Sequence, residues 1–386
     1  MNIVIICTLY YPYIVGGAEI STQQLAEGFV KQGHKVSVIT TGDKTYTDTI
    51  NGVHIYYIRN RNIYWKYPQR EKQNWKKLIW HTIDIYNILY KKELTILLKN
   101  ISPDIIHTNN LCGLSTIVWN IAKQLNLKIV HTLRDYYLLC PKQSMSKGST
   151  SCPKQCHICK IYSLPKKILS QKVDAVIGIS QFILNKHRNN GYFQNAISKV
   201  IPNSIIIPHD YSRKRNNNII GFLGRLSKEK GIEFLIQSFL KCNRSDKKLI
   251  IAGGGDPEYI AALQTIAQGH NNIVFTGPLK IYDFFNRIDL LVVPSTWDEP
   301  FGRVVIEAFS YQCPVFASNT GGLPELITPN VGRCFSFKDD SLSKLLIDFY
   351  EGKLSFHNES FDNVISNFTQ DRVTSKYINL YKSIIK

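Results

Sequence analysis

Short apolar runs alternate with amphipathic stretches through the first half of the chain. The opening NIVIICTLYYP reads as a buried strand, STQQLAEGFVKQGH as the helix after it, and HKVSVIT as a second strand. This strand–helix–strand order predicts a parallel sheet with right-handed crossovers. The later runs SPDIIHTNN, LKIVHTLRDYYLLCP and VDAVIGIS predict further strands of the same half. The first half is therefore predicted to be an α/β domain.

The second half repeats this pattern after a polar break. The Asn-rich segment IIPHDYSRKRNNN predicts a linker. Residues 219–223 are apolar and continuous, as in a parallel strand buried on both faces, and helical spacing follows up to Phe239. The runs KLIIAGGGD, NIVFTGPL, IDLLVVPS and PVFASNTGGLPELI predict more strands, each ending in polar or glycine residues. A chain of 386 residues is long enough for two such domains.

The stretch 294–313, PSTWDEPFGRVVIEAFSYQC, carries the strongest candidate chemistry. Glu299 and Glu307 stand eight positions apart across a Pro-Phe-Gly turn. Pro300 favours a helix start, which would put Glu299 in the preceding loop and Glu307 about two turns in. Both carboxylates can then face one pocket, since helical side chains lean toward the N-terminus. The alternative is a capped helix with two solvated glutamates.

The start of this predicted helix is also a candidate anion site. Free N–H groups and the positive end of a helix dipole favour an anion. The backbone donors expected to open into the pocket are those of Phe301, Gly302, Arg303 and Val304. Two carboxylates beside such donors suit a ligand that carries both hydroxyl groups and phosphate.

A second candidate site lies in the loop after the strand at 219–223. Arg225 and Lys230 stand five positions apart, directly after Gly224, in a tight loop at a predicted helix start. Two fixed cations beside a helix dipole can clamp a diphosphate. The alternative is a surface loop that happens to hold two basic residues.

These motifs closely resemble those of the retaining glycosyltransferases of family 4, which use nucleotide-sugar donors. The resemblance rests on Glu-x7-Glu at 299–307, G-R-x4-K-G at 224–231 and GGLPELI at 321–327, and it covers nearly the whole chain. It implies two Rossmann-like α/β domains with parallel sheets facing across a cleft, the GT-B type. The domains expected are residues 1–205 on the acceptor side and residues 206–365 on the donor side. A final helix at 366–386 is expected to pack back on the first domain.

The resemblance also implies roles for individual residues. Glu307 would bind the nucleotide ribose, and Glu299 would contact the transferred sugar and stabilise positive charge at its anomeric carbon. Arg225 and Lys230 would hold the leaving diphosphate, so that catalysis needs no metal cofactor. The other donor-binding positions are expected at Gly16, Gly17, Asn203, Gly224, Gly254, Gly277 and Leu279, besides the backbone donors at 301–304. The glycine pair does not form G-x-G-x-x-G, so a nicotinamide cofactor is not supported.

One position departs from the family pattern. Relatives usually read T-x-H-D where this chain has Arg134 followed by Asp135, while His131 lies inside the strand. The role of the family histidine is therefore absent, is taken by Asp135, or is replaced by Arg134 holding an anionic group. We carry Asp135 over as a catalytic candidate and give His131 no catalytic role.

The function implied is retaining transfer of a sugar from a UDP- or GDP-sugar to a saccharide or lipid-linked acceptor. The pathway implied is synthesis of a cell-surface polysaccharide, such as a capsule, an O-antigen or an exopolysaccharide. Two alternatives stay open: hydrolysis or epimerisation of a nucleotide sugar on the same fold, and a catalytically silent scaffold docked on membranes. The departure at Arg134 is the only support for the silent scaffold.

The charge distribution adds a candidate partner for the first half. Residues 1–205 hold 26 Lys+Arg against 10 Asp+Glu, a net charge of +16, whereas residues 206–386 hold 21 against 19, a net charge of +2. The stretch 59–99 combines ten basic residues with several Trp and Tyr. This combination suits an anionic membrane surface, a helix with an aromatic core face, or single-stranded nucleic acid. Because many relatives extend lipid-linked sugars, a membrane is favoured over nucleic acid, which is not expected, and the helix with an aromatic core face stays an equal alternative.

Composition and cysteine usage favour a cytoplasmic protein. Hydrophobic residues make up 44% and charged residues 20% of the chain, with no long apolar run and no secretory signal pattern. We therefore expect a cytoplasmic protein that associates peripherally with the inner face of the membrane. Nine cysteines, an odd number, fit a reducing compartment. Four of them form a group that suits a structural zinc, free thiols or disulfides: Cys140, Cys152, Cys156 and Cys159.

Overall fold

The computed structural model describes residues 1–65, 67, 74–208 and 216–385. The chain divides into two compact units. Unit 1 comprises Met1–Met145, Cys152–Ser204 and Gln370–Lys386, and unit 2 comprises Ser146–Ser151 and Ile205–Thr369. Most of the predicted linker, residues 209–215, lies outside the described residues. The prediction of two α/β domains with parallel sheets is confirmed.

The apolar runs form the strands, and the amphipathic stretches form the helices. In chain order the described strands are β1 (Asn2–Ile6), β2 (Lys35–Gly42), β3 (Tyr46–Ile50), β4 (Val53–Arg59), β5 (Ile105–Thr108), β6 (Lys128–Leu133), β7 (Ser146–Lys147), β8 (Thr150–Ser151), β9 (Ala175–Gly178), β10 (Ile197–Val200), β11 (Ile219–Leu223), β12 (Lys248–Ala252), β13 (Ile273–Gly277), β14 (Leu290–Val293), β15 (Val315–Ser318) and β16 (Gly332–Phe335). The described α-helices are α1 (Gly17–Lys31), α2 (Asn74–Ile85), α3 (Lys91–Ile101), α4 (Ile117–Gln124), α5 (His157–Ser170), α6 (Gln181–Asn189), α7 (Ile232–Lys241), α8 (Pro257–Ile266), α9 (Ile281–Phe285), α10 (Arg303–Ser310), α11 (Ser341–Tyr350), α12 (Asn358–Ile365) and α13 (Gln370–Ile385). Short 3₁₀ turns occupy Ile88–Tyr90, Lys228–Lys230, Leu323–Glu325 and Ser366–Phe368.

Within the described residues, unit 1 is built on a sheet with the strand order β10-β9-β6-β5-β1-β2-β4-β3. Its neighbouring strands pair parallel, except for the antiparallel pair β3–β4 at one edge. The central strand β1 pairs Ile3 with both Val36 and Ile105, and the sheet interior is apolar because strands covered on both faces exclude water. Helices α1 and α13 pack together in this unit. Gly28 of α1 allows their close approach, since a Cβ there would lie 2.4 Å from Thr374 Oγ1.

The described part of unit 2 is built on parallel strands in the order β13-β12-β11-β14-β15-β16. The strand order reverses between β12 and β14, on either side of β11. In open α/β sheets, ligands bind at the carboxyl ends of the strands beside such a switch point. The loops that follow β11 and β14 are therefore the first place to look for a site. They are the two loops that contain Arg225, Lys230 and Glu299.

The basic and aromatic stretch 59–99 contains both core and surface aromatics. Trp80 is buried, and its indole N–H donates to the Tyr64 carbonyl at 2.9 Å. Trp65 donates to Thr41 Oγ1 at 3.0 Å, whereas Trp75 on α2 is exposed. The part of this prediction that falls on residues 66 and 68–73 lies outside the described residues. Across the described ranges, none of the helices combines the length and apolar character needed to span a bilayer.

Candidate active site

The loops after β11 and β14 are in direct backbone contact. Gly231 has a φ of +69°, and a Cβ at this position would lie 1.9 Å from the carbonyl oxygen of Pro294. The backbone N–H of Thr296 donates to the carbonyl of Glu229 at 2.9 Å. The glycine that ends G-R-x4-K-G is thus required by the close approach of the second loop.

This contact brings Lys230 and Glu299 together. Lys230 Nζ lies 2.5 Å from Glu299 Oε1, and the Ser295 hydroxyl donates to the same oxygen at 2.7 Å. Glu299 is 8% exposed, and the Lys230 ammonium lies 5.7 Å from the centre of the Trp297 ring. In such a sheltered position the ion pair is screened less than a surface pair. The two residues predicted to contact sugar and diphosphate are therefore adjacent.

The glycine pair of GGLPELI, Gly321 and Gly322, packs directly against the backbone of Glu299. Gly322 donates its N–H to the carbonyl of Glu299 at 2.7 Å. Gly321 has a φ of +57°, and a Cβ there would lie 2.4 Å from both the nitrogen and the carbonyl oxygen of Glu299. Only glycine satisfies both the left-handed backbone and this contact. The turn therefore fixes the position of the peptide that carries the Glu299 carboxylate.

Helix α10 begins later than the sequence predicted. Its first residue is Arg303, and Gly302 at the N-cap has a φ of +98°. This left-handed backbone favours glycine and is not helical, and a Cβ at Gly302 would also lie 2.4 Å from Leu323 Cδ2. The prediction that Pro300 starts the helix is wrong for this reason. Glu307 consequently lies about one turn into the helix, not two.

Glu307 is buried and has a cationic partner on its own helix. Arg303 Nε donates to Glu307 Oε1 at 2.8 Å, an i, i+4 pair in which both side chains are largely buried. Burial raises the pKa of Glu307, and the Arg303 charge and hydrogen bond oppose that rise. The sequence predicted only the backbone N–H of Arg303 as functional. The structure adds its guanidinium, which the R-x3-E spacing could have indicated.

Arg225 occupies a more open position than Lys230. Its Nη2 donates to Glu229 Oε1 at 2.8 Å, and the Ser227 hydroxyl donates to the same oxygen at 2.7 Å. The Arg225 side chain is 64% exposed, so this pair contributes little stability. Burial acts to raise the pKa of Glu229, but the Ser227 hydrogen bond, backbone hydrogen bonding and Arg225 together bring that pKa below its usual value. Glu229 is a site residue that the motif alone did not reveal.

The remaining predicted positions of unit 2 lie at the carboxyl ends of β11, β12 and β13. Gly224 has a φ of +157°, and its carbonyl oxygen would lie 1.8 Å from a Cβ placed on Gly253. Gly254 faces open space apart from Pro278, and a Cβ on Gly277 would meet no heavy atom within 4 Å. Leu279, two residues beyond, is half-buried. Backbone packing thus accounts for Gly253 and the positive φ for Gly224, whereas a Cβ on Gly254 or Gly277 would have room beside the strand ends.

A β-hairpin from the middle of the sequence completes the Glu299 loop. Residues 146–151, which form β7 and β8, belong to unit 2. Thr296 Oγ1 donates to the Ser149 carbonyl at 2.6 Å, and the Asp298 N–H donates to Ser151 Oγ at 2.5 Å. The polar Gly/Ser composition of this segment gave no signal for such a contact.

In unit 1, Arg134 is a buried cation held between two asparagines. Its Nε donates to Asn109 Oδ1 at 2.8 Å, and its Nη1 donates to Asn203 Oδ1. Asp135 accepts from Asn110 Nδ2 at 2.5 Å and from the Tyr137 N–H at 2.8 Å. Arg134 and Asp135, which stand where relatives have the H-D of T-x-H-D, are therefore held by polar side chains that follow β5. Asn203 contacts Arg134 as well.

The glycine pair at 16–17 marks the start of α1. Gly16 is the N-cap residue, and its N–H donates to Glu19 Oε2 at 2.8 Å, which is the half of a capping box that glycine can form. Burial raises the pKa of Glu19, while these backbone hydrogen bonds and the Arg134 charge act to lower it. Gly17 is the first helical residue. Both glycines are exposed, so the helix start is open to solvent in unit 1.

Two histidines of unit 1 belong to its core. His107 is hydrogen-bonded to Thr132 Oγ1 and to the Tyr381 hydroxyl of α13, both at 2.7 Å. His131 is hydrogen-bonded to Thr108 Oγ1 at 2.8 Å, and burial, with the charges of His187 and Arg134, lowers its pKa to about 3. Both rings are buried, so each joins elements of unit 1.

The cysteine group is partly assembled. Cys159 Sγ lies 3.6 Å from Cys140 Sγ, and the Cys159 N–H donates to Cys156 Sγ, which caps α5. Hydrogen bonds from Cys159 lower the pKa of Cys156, whereas burial and Cys156 raise the pKa of Cys159. Among the described residues, no group of three or more His, Cys, Asp or Glu side chains is arranged to hold a metal ion. A zinc ion bound by these thiols and Cys152 stays a prediction beside the alternative of free thiols. Metal analysis of the purified protein tests it, since a metal site predicts one zinc per chain and free thiols predict none.

Comparison with known proteins identifies the relatives of the chain. Residues 15–207 match the family model for Glycosyltransferase Family 4, and residues 205–367 match that for Glycosyl transferases group 1. A 42.6 kDa protein in the cps region of Klebsiella pneumoniae is 36% identical over 389 residues, covering 99% of this chain and 100% of the relative. The glycosyltransferase MJ1607 of Methanocaldococcus jannaschii is 28% identical over 410 residues, covering 99% and 98%.

The fold has a solved counterpart. The crystal structure of Anabaena Alr3699/HepE in complex with UDP matches with a TM-score of 0.74 at 19% identity, covering 99% of this chain and 100% of that one. Fold and sequence together define a glycosyltransferase of the GT-B type. More narrowly, the chain belongs to glycosyltransferase family 4, as the family models and the full-length relatives show.

Proposed function

We propose that this glycosyltransferase moves a sugar, with retention of its anomeric configuration, from a nucleotide-sugar donor to a saccharide or lipid-linked acceptor. The observation that carries the proposal is the adjacency of Lys230, Glu299 and Ser295 at the switch point of unit 2. A cation and a carboxylate at this edge match the two developing charges of glycosyl transfer. The leaving diphosphate gains negative charge, and the anomeric carbon gains positive charge.

Lys230 and Arg225 are assigned to the diphosphate. Arg225 is the exposed member of the pair, and its guanidinium can leave Glu229 for a phosphate at little cost because the exposed ion pair is weak. Lys230 is the sheltered member, so its charge is effective at short range. With two cations in place the reaction requires no metal ion. Turnover should therefore be unchanged after treatment with a chelator, and a loss of turnover would contradict this assignment.

Glu307 is assigned to the ribose of the nucleotide. An ionised carboxylate accepts hydrogen bonds from two vicinal hydroxyl groups, and Arg303 holds Glu307 by one oxygen, which fixes its rotamer. Glu299 is assigned to the transferred sugar. Its Oε1 is already occupied by Lys230 and Ser295. Its Oε2 is the atom we assign to the sugar hydroxyl groups.

The donor and the pathway are proposed from the relatives. HepE has been solved with UDP and with UDP-glucose, which supports a UDP-sugar as the first donor to test. The Klebsiella relative belongs to a cps region, which supports a role in the synthesis of a surface polysaccharide. We assign Asp135 and Arg134 of unit 1 to the acceptor. In this pathway the acceptor would be a saccharide carried on a lipid at the membrane surface.

The test of this function is a comparison of Glu299→Gln with the wild type. The change keeps the shape of the side chain and removes the charge that faces the sugar, so turnover should fall by about 100-fold or more. The thermal shift induced by nucleotide should change much less, since Glu307, Arg225 and Lys230 remain. Glu325→Gln, in the same GGLPELI segment, is the matched control and should keep its turnover. Unchanged turnover in Glu299→Gln would remove the proposed role.

Retention and transfer are tested on the product. NMR of the product made from an α-linked donor should show an α-glycoside, and a β-glycoside would overturn retention. Assays with and without acceptor separate transfer from hydrolysis or epimerisation. We expect the donor to be consumed mainly when acceptor is present.

A further inference from the structure

Helices α2 and α5 of unit 1 are joined by a buried ion pair. Lys166 Nζ of α5 lies 4.0 Å from Asp84 Oδ2 of α2, and both side chains are 3% exposed. The Lys166 ammonium also lies 3.5 Å from the centre of the Tyr137 ring, and Asp84 Oδ1 accepts from the Gly113 N–H at 2.6 Å. These contacts fix which side of each helix faces inward.

The opposite sides of the same two helices expose large apolar side chains. Along α5 they recur at the spacing of one helical face, and each is between 55% and 71% exposed: Ile158, Ile161, Leu164 and Ile168. On α2, Trp75 and Leu78 are 58% and 60% exposed. Single exposed apolar residues are ordinary, but several exposed apolar side chains on two helices that pack together indicate an interaction site. We call these six residues the α2/α5 surface.

The exposed charged residues of α2 and of the segment that contains α5 are lysines, within the part of the chain that the structure describes. Residues 140–172 contain seven lysines and neither Asp nor Glu. Lys77 on α2 and Lys154 and Lys160 near the start of α5 are exposed. The acidic residue of α2 is Asp84, which is buried against Lys166. Within the described residues of α2 and of 140–172, the exposed apolar side chains are accompanied by exposed lysines and by no exposed carboxylate. Such a combination is complementary to an anionic surface with an apolar interior.

We propose that the α2/α5 surface docks on an anionic lipid bilayer, with both helices lying in the headgroup region and their apolar faces in the acyl boundary. The aliphatic character of this surface favours lipid over single-stranded nucleic acid, which binds through stacking on aromatic rings. This inference deepens the proposed function, since a lipid-linked acceptor lies at such a surface. It extends beyond residues 59–99, because α5 supplies four of the six apolar residues.

The test is co-sedimentation of the full chain with vesicles that contain phosphatidylglycerol and phosphatidylcholine, or phosphatidylcholine alone. The wild type should bind the anionic vesicles, and added salt should weaken that binding. Ile161→Ser combined with Leu78→Ser should reduce the partition coefficient about tenfold or more, because two apolar side chains no longer leave water. Tyr282→Ser, at an exposed aromatic position of unit 2, is the matched control and should bind as the wild type does.

The results that would contradict membrane docking differ from the results that would contradict the proposed glycosyltransferase function. Equal vesicle binding by the double variant and the wild type would overturn the proposal, as would the absence of binding to anionic vesicles. A dimer in solution that dissociates in the double variant would assign the surface to a second copy instead. The thermal shift with nucleotide should be the same in all these variants, because none of the changed residues belongs to the donor site. Loss of that shift in the wild type would count against the donor site alone.

Discussion

The Gly-Gly turn under Glu299 makes a sharp prediction for Gly321→Ala. Gly321 has a φ of +57°, and a Cβ at this position would lie 2.4 Å from two backbone atoms of Glu299. Ordinary van der Waals contact for a Cβ begins at 3.4 Å. Accommodating the methyl group therefore requires the turn and the Glu299 peptide to separate by about 1 Å. The perturbation acts on the catalytic loop without removing any functional group.

Two effects set the size of the response. The left-handed backbone costs an alanine about 1 kcal/mol relative to glycine, which appears as lost stability. The displacement of the Glu299 peptide moves its carboxylate away from the position fixed by Lys230 and Ser295. A misplacement of about 1 Å in a reacting constellation can reduce turnover about 100-fold. We therefore expect a modest loss of stability and a large loss of activity.

The assay is release of nucleoside diphosphate from the donor, with a membrane extract as the source of acceptor. Turnover is measured well below the melting midpoint of each variant, so that only folded protein is compared. Gly352→Ala is the matched control, since Gly352 has a φ of +70° and a Cβ there would meet no heavy atom within 4 Å. It should show the same backbone cost of about 1 kcal/mol and keep its turnover.

Comparing Gly321→Ala with Gly352→Ala separates the backbone strain of an alanine at a positive φ from the displacement of Glu299. If Gly321→Ala folds and turns over at the wild-type rate, the turn does not fix Glu299, and the reasoning is refuted. If Gly352→Ala loses as much activity as Gly321→Ala, the loss reflects stability and not the geometry of the site.

Three further predictions concern other parts of the molecule. Burial raises the pKa of Glu307, and the proposed hydrogen bonds to ribose require its ionised form. Nucleotide affinity in titration calorimetry should therefore fall on acidification, starting above the ordinary pKa range of a glutamate. Glu307→Gln should abolish this pH dependence. If nucleotide affinity in Glu307→Gln still falls with pH as in the wild type, Glu307 is not the titrating group. Lys166→Met leaves Asp84 buried without that cation and should cost about 3 kcal/mol in urea unfolding, whereas adding Asp84→Asn should recover part of the loss. If the losses of unfolding free energy in the two single variants simply add in the double variant, Lys166 and Asp84 do not interact as proposed. Ser151→Ala removes the acceptor of the Asp298 N–H and should lower the rate of sugar transfer severalfold, with little effect on nucleotide binding. An equal loss in both would show that the hairpin acts on the donor site as a whole.

The sequence predicted the central strands of both large sheets because apolar runs report burial on both faces, whereas β3, β4, β10 and β16, at or next to the sheet edges, were not predicted. Residues 219–223 became β11 without change, and the opening strand became β1. The start of α10 was predicted wrongly, because Pro300 is a local signal for a helix start. The backbone is instead left-handed at Gly302, so helical geometry begins only at Arg303. The proline signal does not report this change of backbone conformation two residues later.

In the candidate site, too, contacts between residues far apart in the sequence could not be predicted from local patterns. The motif residues Lys230 and Glu299 are 69 positions apart, and only resemblance to a family could predict that they interact. The partner of Arg225 was missed, although the R-x3-E spacing to Glu229 was visible. The hairpin at 146–151 could not be predicted, since its polar sequence is that of an ordinary loop. Helix α5 was not predicted from the sequence, so the exposed apolar side chains along it were missed as well.

The loops after β11 and β14 of unit 2 form the proposed binding site for the donor diphosphate. The most direct measurement is a thermal-shift panel of UDP, GDP, ADP and their common sugar conjugates in metal-free buffer, with Lys230→Met beside Lys228→Met. Both lysines lie in the same 3₁₀ turn, but Lys228 is exposed and Lys230 reaches Glu299. A ligand that binds only the folded state raises Tm. We predict a selective rise with the nucleotides of one base, kept in Lys228→Met and lost in Lys230→Met. No rise with any nucleotide, or an equal rise in both variants, would contradict this proposal.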